Sequence, residues 1–177
     1  METEKPALVR CTLVFPVRAG SVLLGLGKKG YNKGLWNGYG GKVDAGDTSI
    51  RHTAVRELEE EVGLAVRQED LQYHGYMTFL WESEVPGLGV HTAREVVVHM
   101  YSAPVWQGEP RESEAMSTPS WFSVMELPFS SMPPDTTGWL PLVFAAKKFI
   151  GTARYNSARE VIACEVRSVD TLPEPLL

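Results

Sequence analysis

Apolar and polar residues recur along the chain with two different periods, and the changes of period mark the expected strands and helices. Two β-rich runs, "LVRCTLVFPV" and "SVLLGLG", are separated by Ala19-Gly20, which predicts an early β-hairpin. The next stretch, "KKGYNKGLWNGYGG", is rich in glycine and lysine. It predicts a loop with one short extended piece from Trp36 to Tyr39.

A helical period follows from about Ser49 to Val62, with Asp47 or Thr48 as the candidate N-cap. Gly63 and Leu64 then fit the left-handed residue that commonly ends a helix and the apolar residue that accompanies it. The sequence therefore predicts a first helix with defined residues at both ends.

Further strands are expected at about Tyr73 to Glu82 and Glu95 to Val105, joined through "EVPGLGVHTA". An acidic loop, "QGEPRESEAMSTP", precedes a short strand, "SWFSV", and a proline-rich connection, "MELPFSSMPPDT". A second helix is expected at about Gly138 to Phe149, followed by the strands "IGTARYN" and "EVIACEV". Mixed strands with two well-separated helices predict one α/β domain over residues 1–177, a sheet flanked by helices.

Composition narrows the class of protein. With 44% hydrophobic and 22% charged residues, the sequence is typical of a soluble globular protein. Its charged first residues predict no secretory signal, and no apolar run approaches the roughly 18 residues of a membrane helix. Cys11 and Cys164 lie far apart, which favours a reducing cytosol. The net charge of −5 argues against a duplex nucleic-acid binder, but it allows a small polyanion held through a metal.

The first helix carries an unusual concentration of acidic side chains. A helical wheel places Glu57, Glu60 and Glu61 together on the shoulder of an apolar arc, while Arg56 and Glu59 turn toward solvent. Like charges three and four residues apart destabilise a helix, so the cluster is either a solvated acidic face or a cation site. A hard divalent cation such as Mg²⁺ prefers such oxygen ligands and is often shared with substrate phosphates.

Glycines just before this helix complete a sequence motif. The segment "GKVDAGDTSIRHTAVRELEEEVGL" resembles the Nudix box, G-x5-E-x7-R-E-U-x-E-E-x-G-U with U apolar, and "RELEEEVGL" matches its second half completely. The first half differs, because Asp47 follows Gly41 at the glutamate position and eight residues instead of seven separate it from Arg56. In the alternative register, Thr48 takes that position.

The resemblance extends over most of the chain. The segments "KKGYNKGLWNGYGGKV", "SWF", "LPF" and "WLPLVFAAKKFIG" are similar in order and spacing to the MutT-like oxidised-purine nucleoside triphosphatases. This resemblance implies the Nudix fold, an α/β/α sandwich with a mixed sheet. It also implies hydrolysis of purine nucleoside triphosphates such as 8-oxo-dGTP to the monophosphate and pyrophosphate, with Mg²⁺ or alternatively Mn²⁺ as cofactor.

Carried over by motif position, the metal ligands would be the carbonyl of Gly40 and the carboxylates of Glu57, Glu60 and Glu61. These glutamates and Arg56 would form the catalytic group, with one of the glutamates or a loop carboxylate as general base. Lys42 is expected to contact phosphate, and Asn37 to contact the purine edge. The full set of expected substrate-binding residues is Thr12, Tyr31, Asn37, Gly41, Lys42, Phe79, Trp81, Asp135 and Trp139.

The sequence departs from these relatives around the base. Asp135 matches the first of two adjacent aspartates, but Thr136 takes the second position, and Pro133 replaces a stacking tryptophan. Ala115 stands where a glutamate is expected, with Glu114 one residue earlier. A partly desolvated Asp135 could take up a proton and then donate as well as accept a hydrogen bond. We therefore expect that 8-oxo-dGTP is accepted with a smaller margin over normal purines.

Other functions are compatible with parts of the sequence. A Nudix pyrophosphatase could act on ADP-ribose, a diadenosine polyphosphate or a capped RNA, although the basic stripe expected for RNA is absent. A Nudix-fold binding module without turnover, or an acidic helical protein outside the family, are the remaining alternatives. We expect a monomer that binds neither a nucleic-acid polymer nor a membrane. It would act on the cytoplasmic nucleotide pool, with the nuclear or mitochondrial pool as alternatives.

Overall fold

Strands from both halves of the chain alternate in one mixed sheet in the computed structural model, which describes residues 8–85 and 89–177. The order is β3-β2-β1-β5-β4-β7-β8, with β6 paired to β2. The β1–β5 and β4–β7 pairs are parallel and the other pairs are antiparallel, so the expected mixed α/β architecture is confirmed. The elements are β1 Leu8–Arg18, β2 Ser21–Gly27, β3 Trp36–Asn37, α1 Ile50–Val62, β4 Gln72–Val85, β5 Gly89–Ala103, β6 Met116–Ser123, α2 Thr136–Phe144, β7 Lys148–Tyr155 and β8 Val161–Val169, with short 3₁₀ turns at Gln68–Asp70 and Phe129–Ser131.

Strand β1 separates two halves of the hydrophobic core. Because successive side chains of a strand point to opposite faces, Val14 packs into the cluster around α1 and Phe15 into the cluster around α2. At its end, β1 turns through Ala19 (φ 49°) and Gly20 (φ 75°) into β2, as the sequence predicted. The sheet is therefore covered by one helix on each face.

Helix α1 lies at the expected place, but its N-cap differs from the prediction. The hydroxyl of Ser49 accepts a hydrogen bond from the backbone N–H of His52 at 3.0 Å, so neither Asp47 nor Thr48 caps the helix. Ser49 is the residue directly before the helix, the position from which a side chain reaches the first free N–H groups. The C-terminal prediction is confirmed, because Gly63 has φ 77° and its N–H bonds to the carbonyl of Glu59.

Two predicted loops are partly strand. Most of "EVPGLGVHTA" belongs to the hairpin of β4 and β5, and its residues 86–88 lie outside the described ranges. Likewise, β6 begins at Met116 instead of Ser120, so the end of the predicted acidic loop pairs with β2. A register shift opposite Leu24 and Leu26, with Thr118 at φ 47°, accompanies Pro119 within β6. An irregularity of this kind is what allows proline in a strand.

Helix α2 is shorter than predicted at its C-terminal end. It was expected to reach Phe149, but it ends at Phe144, and Ala146 (φ 52°) redirects the chain into β7. Phe149 is fully buried and pairs with Gly75 of β4 in the parallel ladder. Tertiary pairing therefore decides the conformation of residues whose apolar pattern fits a helix or a strand equally.

Candidate active site

The backbone of the glycine turn meets the carboxylates of α1. The N–H of Gly40 donates a hydrogen bond to Oε2 of Glu61 at 2.8 Å, and the carbonyl of Gly41 accepts one from Thr12 at 2.9 Å. A Cβ atom on Gly41 would lie 2.4 Å from Oε1 of Glu57, and one on Gly40 would lie 2.0 Å from the carbonyl oxygen of Thr12. The position of Gly40 therefore requires glycine, because the backbone of Thr12 leaves no space for a side chain, and at Gly41 any side chain would displace the carboxylate of Glu57.

Burial and mutual repulsion disfavour the charged forms of these carboxylates. Burial, and then the neighbouring charges of Glu57 and Glu60, raise the pKa of Glu61 to about 7, against the opposing hydrogen bond from Gly40. Burial also raises the pKa of Glu57, although Arg56 opposes this shift. A carboxylate that titrates near neutral pH can exchange a proton during catalysis, and it gains most from a nearby cation.

Arg56 links the carboxylates of the helix. One guanidinium nitrogen, Nη1, lies 2.9 Å from Oε1 of Glu57 and 3.3 Å from Oε2 of Glu60. The expectation that Arg56 turns toward solvent is wrong, because its side chain is only 21% exposed and lies back over the loop before α1. Its contacts favour the orienting role that the motif implied.

Asp47 holds the other side of this guanidinium. Its two oxygens accept hydrogen bonds from Nε and Nη2 of Arg56 at 3.0 and 2.9 Å, and one of them also accepts bonds from the hydroxyl of Thr53 and the N–H of Asp44. These bonds, chiefly those from Arg56, hold the pKa of Asp47 well below its usual range. These contacts favour the register that places Asp47 at this position over the one that places Thr48 there. One extra residue in the loop accompanies a side chain one carbon shorter than glutamate.

The donor set of the turn and helix fits a hard divalent cation. Glu57 and Glu61 both reach the Gly40–Gly41 backbone, which offers oxygen ligands in a region of excess negative charge. The side chain of Glu60 is 60% exposed and bonded to Arg56. Within residues 8–85 and 89–177, no three acidic, histidine or cysteine side chains already stand together as a metal-binding group. Binding of a cation by all three glutamates thus requires Glu60 to turn from Arg56 toward the glycines.

A cavity of about 120 Å³ lies beside this turn, between the sheet and the start of α2. The structure brings together there most of the expected substrate-binding side chains, namely Tyr31, Asn37, Phe79, Trp81, Asp135 and Trp139. Thr12 and Gly41 lie instead at the glycine turn, and Lys42 is exposed next to it. The predicted residues thus form two adjacent groups, one of carboxylates and glycines and one of aromatic and amide side chains.

Tyr155 is a wall of the cavity that the motif did not identify. Its ring stacks on Trp81 with a centroid distance of 5.5 Å, and Tyr31 packs edge-on against both rings. In the predicted strand, Tyr155 stands two residues after Ala153, so both side chains point to the same face of the sheet, and both are buried. This period of two is the sequence signal that could have identified Tyr155 as an inward-facing residue. Trp139 also lines the cavity, and its ring packs against Phe15 and Phe149, so it contributes to the core as well.

Asp135 accepts hydrogen bonds from two side chains of the cavity. Oδ2 accepts a bond of 2.7 Å from the indole N–H of Trp139, and Oδ1 accepts one from the hydroxyl of Tyr155. Burial, and then the charge of Asp135, raise the pKa of Tyr155, which keeps its hydroxyl protonated. Because an indole can only donate, this arrangement favours Asp135 as an acceptor and not in the donor role expected from the sequence.

Neighbouring polar groups limit what else the cavity can offer a ligand. The hydroxyl of Thr136 donates to the carbonyl of Pro133 at 2.7 Å. Asn37 is buried, and its Oδ1 accepts a bond from the N–H of Gly38, so its amide NH₂ is the group that can serve a ligand. The cavity therefore combines a donor from Asn37 with an acceptor from Asp135.

The loop before β6 lies close to the glycine-rich segment and is tied to it. Lys28 donates to the carbonyl of Ser113 at 2.6 Å and pairs with Glu112 at 3.3 Å. Ala115 packs against the core, while Glu114 is exposed. Lys28 thus holds this loop against the glycine-rich segment.

A mixed α/β sandwich with helix carboxylates held against a glycine turn, beside an aromatic cavity, is the arrangement of an enzyme that acts on phosphorylated ligands. The chain matches the NUDIX domain over residues 7–143, and it belongs to the NUDIX family. The family resemblance of the sequence and the expected fold are thereby confirmed.

Two curated relatives cover nearly the whole chain. The oxidized purine nucleoside triphosphate hydrolase of Mus musculus is 38% identical over 90% of this chain and 95% of its own length. The protein of the same name from Danio rerio is 37% identical over 91% of this chain and 96% of its own. Among solved structures, a MutT protein from Bacillus halodurans has a TM-score of 0.74 and 24% identity, covering 89% of this chain and 97% of that one. This structural likeness concerns the fold.

Proposed function

We propose that the chain is a Nudix pyrophosphohydrolase that cleaves oxidised purine nucleoside triphosphates, such as 8-oxo-dGTP, to the monophosphate and pyrophosphate. It would thereby remove oxidised nucleotides from the pool used for nucleic-acid synthesis. The observation that carries this function is the adjacency of the carboxylate-lined glycine turn to the cavity of Asn37 and Asp135. The names of the two curated relatives support the same substrate class.

Nudix hydrolases generally need a divalent metal, and the oxygen donors here favour Mg²⁺, with Mn²⁺ as an alternative. The carbonyl of Gly40 and the carboxylates of Glu57, Glu60 and Glu61 would hold it. When bound, the cation would supply neutralisation of the phosphate charge and acidification of a water molecule.

The protein's own groups would position the substrate and move the proton. Asn37 and Asp135 would orient the base, while Lys42 would contact phosphate. Glu61 is the carboxylate proposed to receive a proton from the attacking water, because its Oε2 atom is held against the glycine turn by the N–H of Gly40. Arg56 would keep Glu57 oriented toward the glycine turn, whereas Glu60 would turn from Arg56 to reach the cation.

The function is tested by a turnover panel with and without Mg²⁺. The panel contains oxidised and normal purine triphosphates, a pyrimidine triphosphate, ADP-ribose and a diadenosine polyphosphate. We expect the highest kcat/KM for an oxidised purine triphosphate, release of pyrophosphate, and incorporation of ¹⁸O from labelled water into one of the products. Preference for ADP-ribose or the dinucleotide, or orthophosphate as the first product, would contradict the proposal.

Two helix variants separate catalysis from a general effect of charge. Glu61→Gln should lower turnover by about 100-fold or more, as loss of a general base does. Glu59→Gln removes the same charge from an exposed position of the same helix and should leave turnover unchanged. A near-normal rate for Glu61→Gln would remove Glu61 from the mechanism, and no turnover in the native protein would favour a binding module.

We further infer that the substrate is the main partner and that the chain acts as a monomer without a nucleic-acid polymer. Its net charge of −5 supports the absence of a nucleic-acid partner, since a negative protein has no general attraction to polyanions. No helix in the described ranges has the length and apolarity needed to cross a membrane. The nucleotide pool of the cytoplasm is the proposed place of action, with the nuclear or mitochondrial pool as the alternatives.

A further inference from the structure

One polar atom of the base cavity has no role in the site described so far. Asn32, in the loop between β2 and β3, lines the cavity, and its Oδ1 atom is buried. Among the residues that the structure describes, no group donates a hydrogen bond to this oxygen. A buried amide oxygen without a partner destabilises the folded protein, so its presence in a cavity calls for a physical reason.

The backbone around Asn32 is held firmly in place. Its carbonyl accepts a hydrogen bond from the N–H of Leu35 at 2.9 Å, and Gly34 donates to the carbonyl of Gly27 at the same distance. Gly27 passes directly against this turn, since a Cβ there would lie 2.2 Å from the carbonyl oxygen of Asn32. Tyr31, the preceding residue, packs edge-on against Trp81. The backbone that carries Asn32 is thus held in place at the edge of the cavity.

The other polar groups of the cavity show which ligand atom would suit this oxygen. Asn37 offers a donor, whereas both oxygens of Asp135 already accept bonds from Trp139 and Tyr155 and have only further acceptor capacity. Oδ1 of Asn32 adds a second acceptor. One donor beside an acceptor complements a lactam, in which a carbonyl and an N–H are adjacent, and the second acceptor can serve a further N–H of the same base.

We propose that Asn32 is a specificity-determining residue whose Oδ1 accepts a hydrogen bond from a lactam N–H of the bound base. The proposal rests on the function proposed above. A lactam N–H occurs at N7 of 8-oxopurines and at N1 of guanine, and adenine has neither. The side chain would therefore favour 8-oxopurines, guanine bases or both over adenine.

The test compares Asn32→Leu, which keeps the approximate size but removes the acceptor, with the loop control Lys33→Gln. Binding of 8-oxo-dGMP, dGMP, 8-oxo-dAMP and dAMP is measured by calorimetry without metal. We expect Asn32→Leu to weaken binding of a lactam-bearing nucleotide by about 5- to 150-fold, the range for loss of a buried polar partner. Binding of dAMP should not weaken, and Lys33→Gln should match the native protein for all four.

Comparison of the same four nucleotides also shows which N–H of the base donates to Asn32. Weaker binding of 8-oxo-dAMP but not dGMP assigns the contact to N7–H, and the reverse assigns it to N1–H. When turnover of the matching triphosphates is measured, Asn32→Leu should mainly raise KM and have a smaller effect on kcat. Equal losses for all four nucleotides, or no loss for any, would overturn the proposal.

Thermal unfolding provides a readout that is independent of activity. Since Oδ1 forms no bond within the described residues, Asn32→Leu should keep or raise the Tm of the ligand-free protein. A fall in Tm together with uniform loss of binding would make Asn32 a structural residue and overturn its role in specificity. If the native protein binds these nucleotides but hydrolyses none of them, the proposed function fails while the binding comparison still decides the role of Asn32.

Discussion

Glu61 is buried beside other carboxylates, so its charged form is costly unless a cation is present. Its pKa of about 7 expresses this cost. At neutral pH in EDTA, Glu61→Gln should therefore stabilise the protein by about 1–3 kcal/mol, because it removes the charge but keeps an oxygen for the N–H of Gly40. The same variant should lose most of the rise in Tm that Mg²⁺ gives the native protein. Both effects can be measured by thermal unfolding in EDTA and in MgCl₂.

Glu59 provides the matched comparison, since it is exposed on the same helix. Glu59→Gln should leave Tm nearly unchanged in EDTA and preserve the response to Mg²⁺. If the two variants responded alike, the effect would arise from the net charge of the helix, and Glu61 would not be a metal ligand.

Asp135 is expected to contribute both to the stability of the fold and to recognition of the base. In Asp135→Asn, one of the two donors, Trp139 or Tyr155, must face an amide NH₂ in a buried site. We expect this to cost about 1–3 kcal/mol of unfolding free energy. We also expect kcat/KM to fall more for oxidised purine triphosphates than for pyrimidine triphosphates, because the side chain would contact the base.

Tyr155→Phe serves as the companion variant, since it removes one donor to Asp135 but keeps the ring that stacks on Trp81. It should reduce stability less than Asp135→Asn. Denaturant unfolding and the substrate panel measure the two effects separately. Equal losses of kcat/KM across all bases in Asp135→Asn would show that Asp135 supports the fold without reading the base.

At the scale of elements, the start of α1 is fastened to the preceding loop by the pair of Asp47 and Arg56. The side chain of Asp47 is 1% exposed and that of Arg56 is 21% exposed, so removal of one charge leaves the other poorly solvated. Asp47→Asn should destabilise the protein by about 2–4 kcal/mol. Turnover should also fall, because Arg56 would lose the partner that directs it toward Glu57.

The pH dependence of this pair has a definite sign. The pKa of Asp47 is lower in the folded than in the unfolded protein, so its stabilising contribution is present above the unfolded value of 3.8 and is lost as the pH falls below it. Asp47→Asn should flatten that part of the acid unfolding curve. Asp44→Asn is the control, since this side chain is 70% exposed and lies 3.5 Å from Arg56. A similar flattening in both variants would show that Asp47 has no special role.

The elements also show what the sequence could and could not specify. Helix α1 was predictable because its apolar period, its left-handed Gly63 and its acidic shoulder all lie within one short segment. The end of α2 was not, because Phe149 suits a helix by pattern and becomes strand only through its pairing with Gly75, far away in the chain. Register and pairing of this kind depend on the assembled sheet.

At the scale of the whole molecule, one part of the candidate site lies within a short segment of the sequence, and the other part is assembled from distant segments. The carboxylate group lies within one motif, so the resemblance of that motif to the Nudix box was enough to group Glu57 and Glu61 with the glycines. The base cavity draws on β1, the loop after β2, and β3, β4, β5, α2 and β7. Tyr155 and Asn32 enter it through that assembly, and neither has a local pattern that distinguishes it from an ordinary strand or loop residue.

The position of the C-terminal segment after β8 is also fixed by contacts with residues that are distant in the sequence. Glu174 forms a two-bond pair with Arg51 of α1, and Leu172 packs against the core around that helix. The guanidinium of Arg51 additionally donates to the carbonyls of Gln68 and Leu71, at 2.8 and 2.7 Å. Arg51 therefore joins α1, the 3₁₀ turn before β4, and the C-terminal segment.

The contacts of Arg51 predict unequal effects for the two partners of the pair. Arg51→Met should cost about 1.5–3 kcal/mol, because two backbone carbonyls lose a charged donor. Glu174→Gln should cost less than about 1 kcal/mol, since the glutamate side chain is 59% exposed. Denaturant unfolding at low salt and at about 0.5 M NaCl tests this, because added salt screens the exposed pair but not the bonds to the carbonyls. The cost of Glu174→Gln should thus vanish at high salt while most of that for Arg51→Met remains. Equal costs with equal salt dependence would mean that the ion pair, and not the bonds to the carbonyls, attaches the segment to α1.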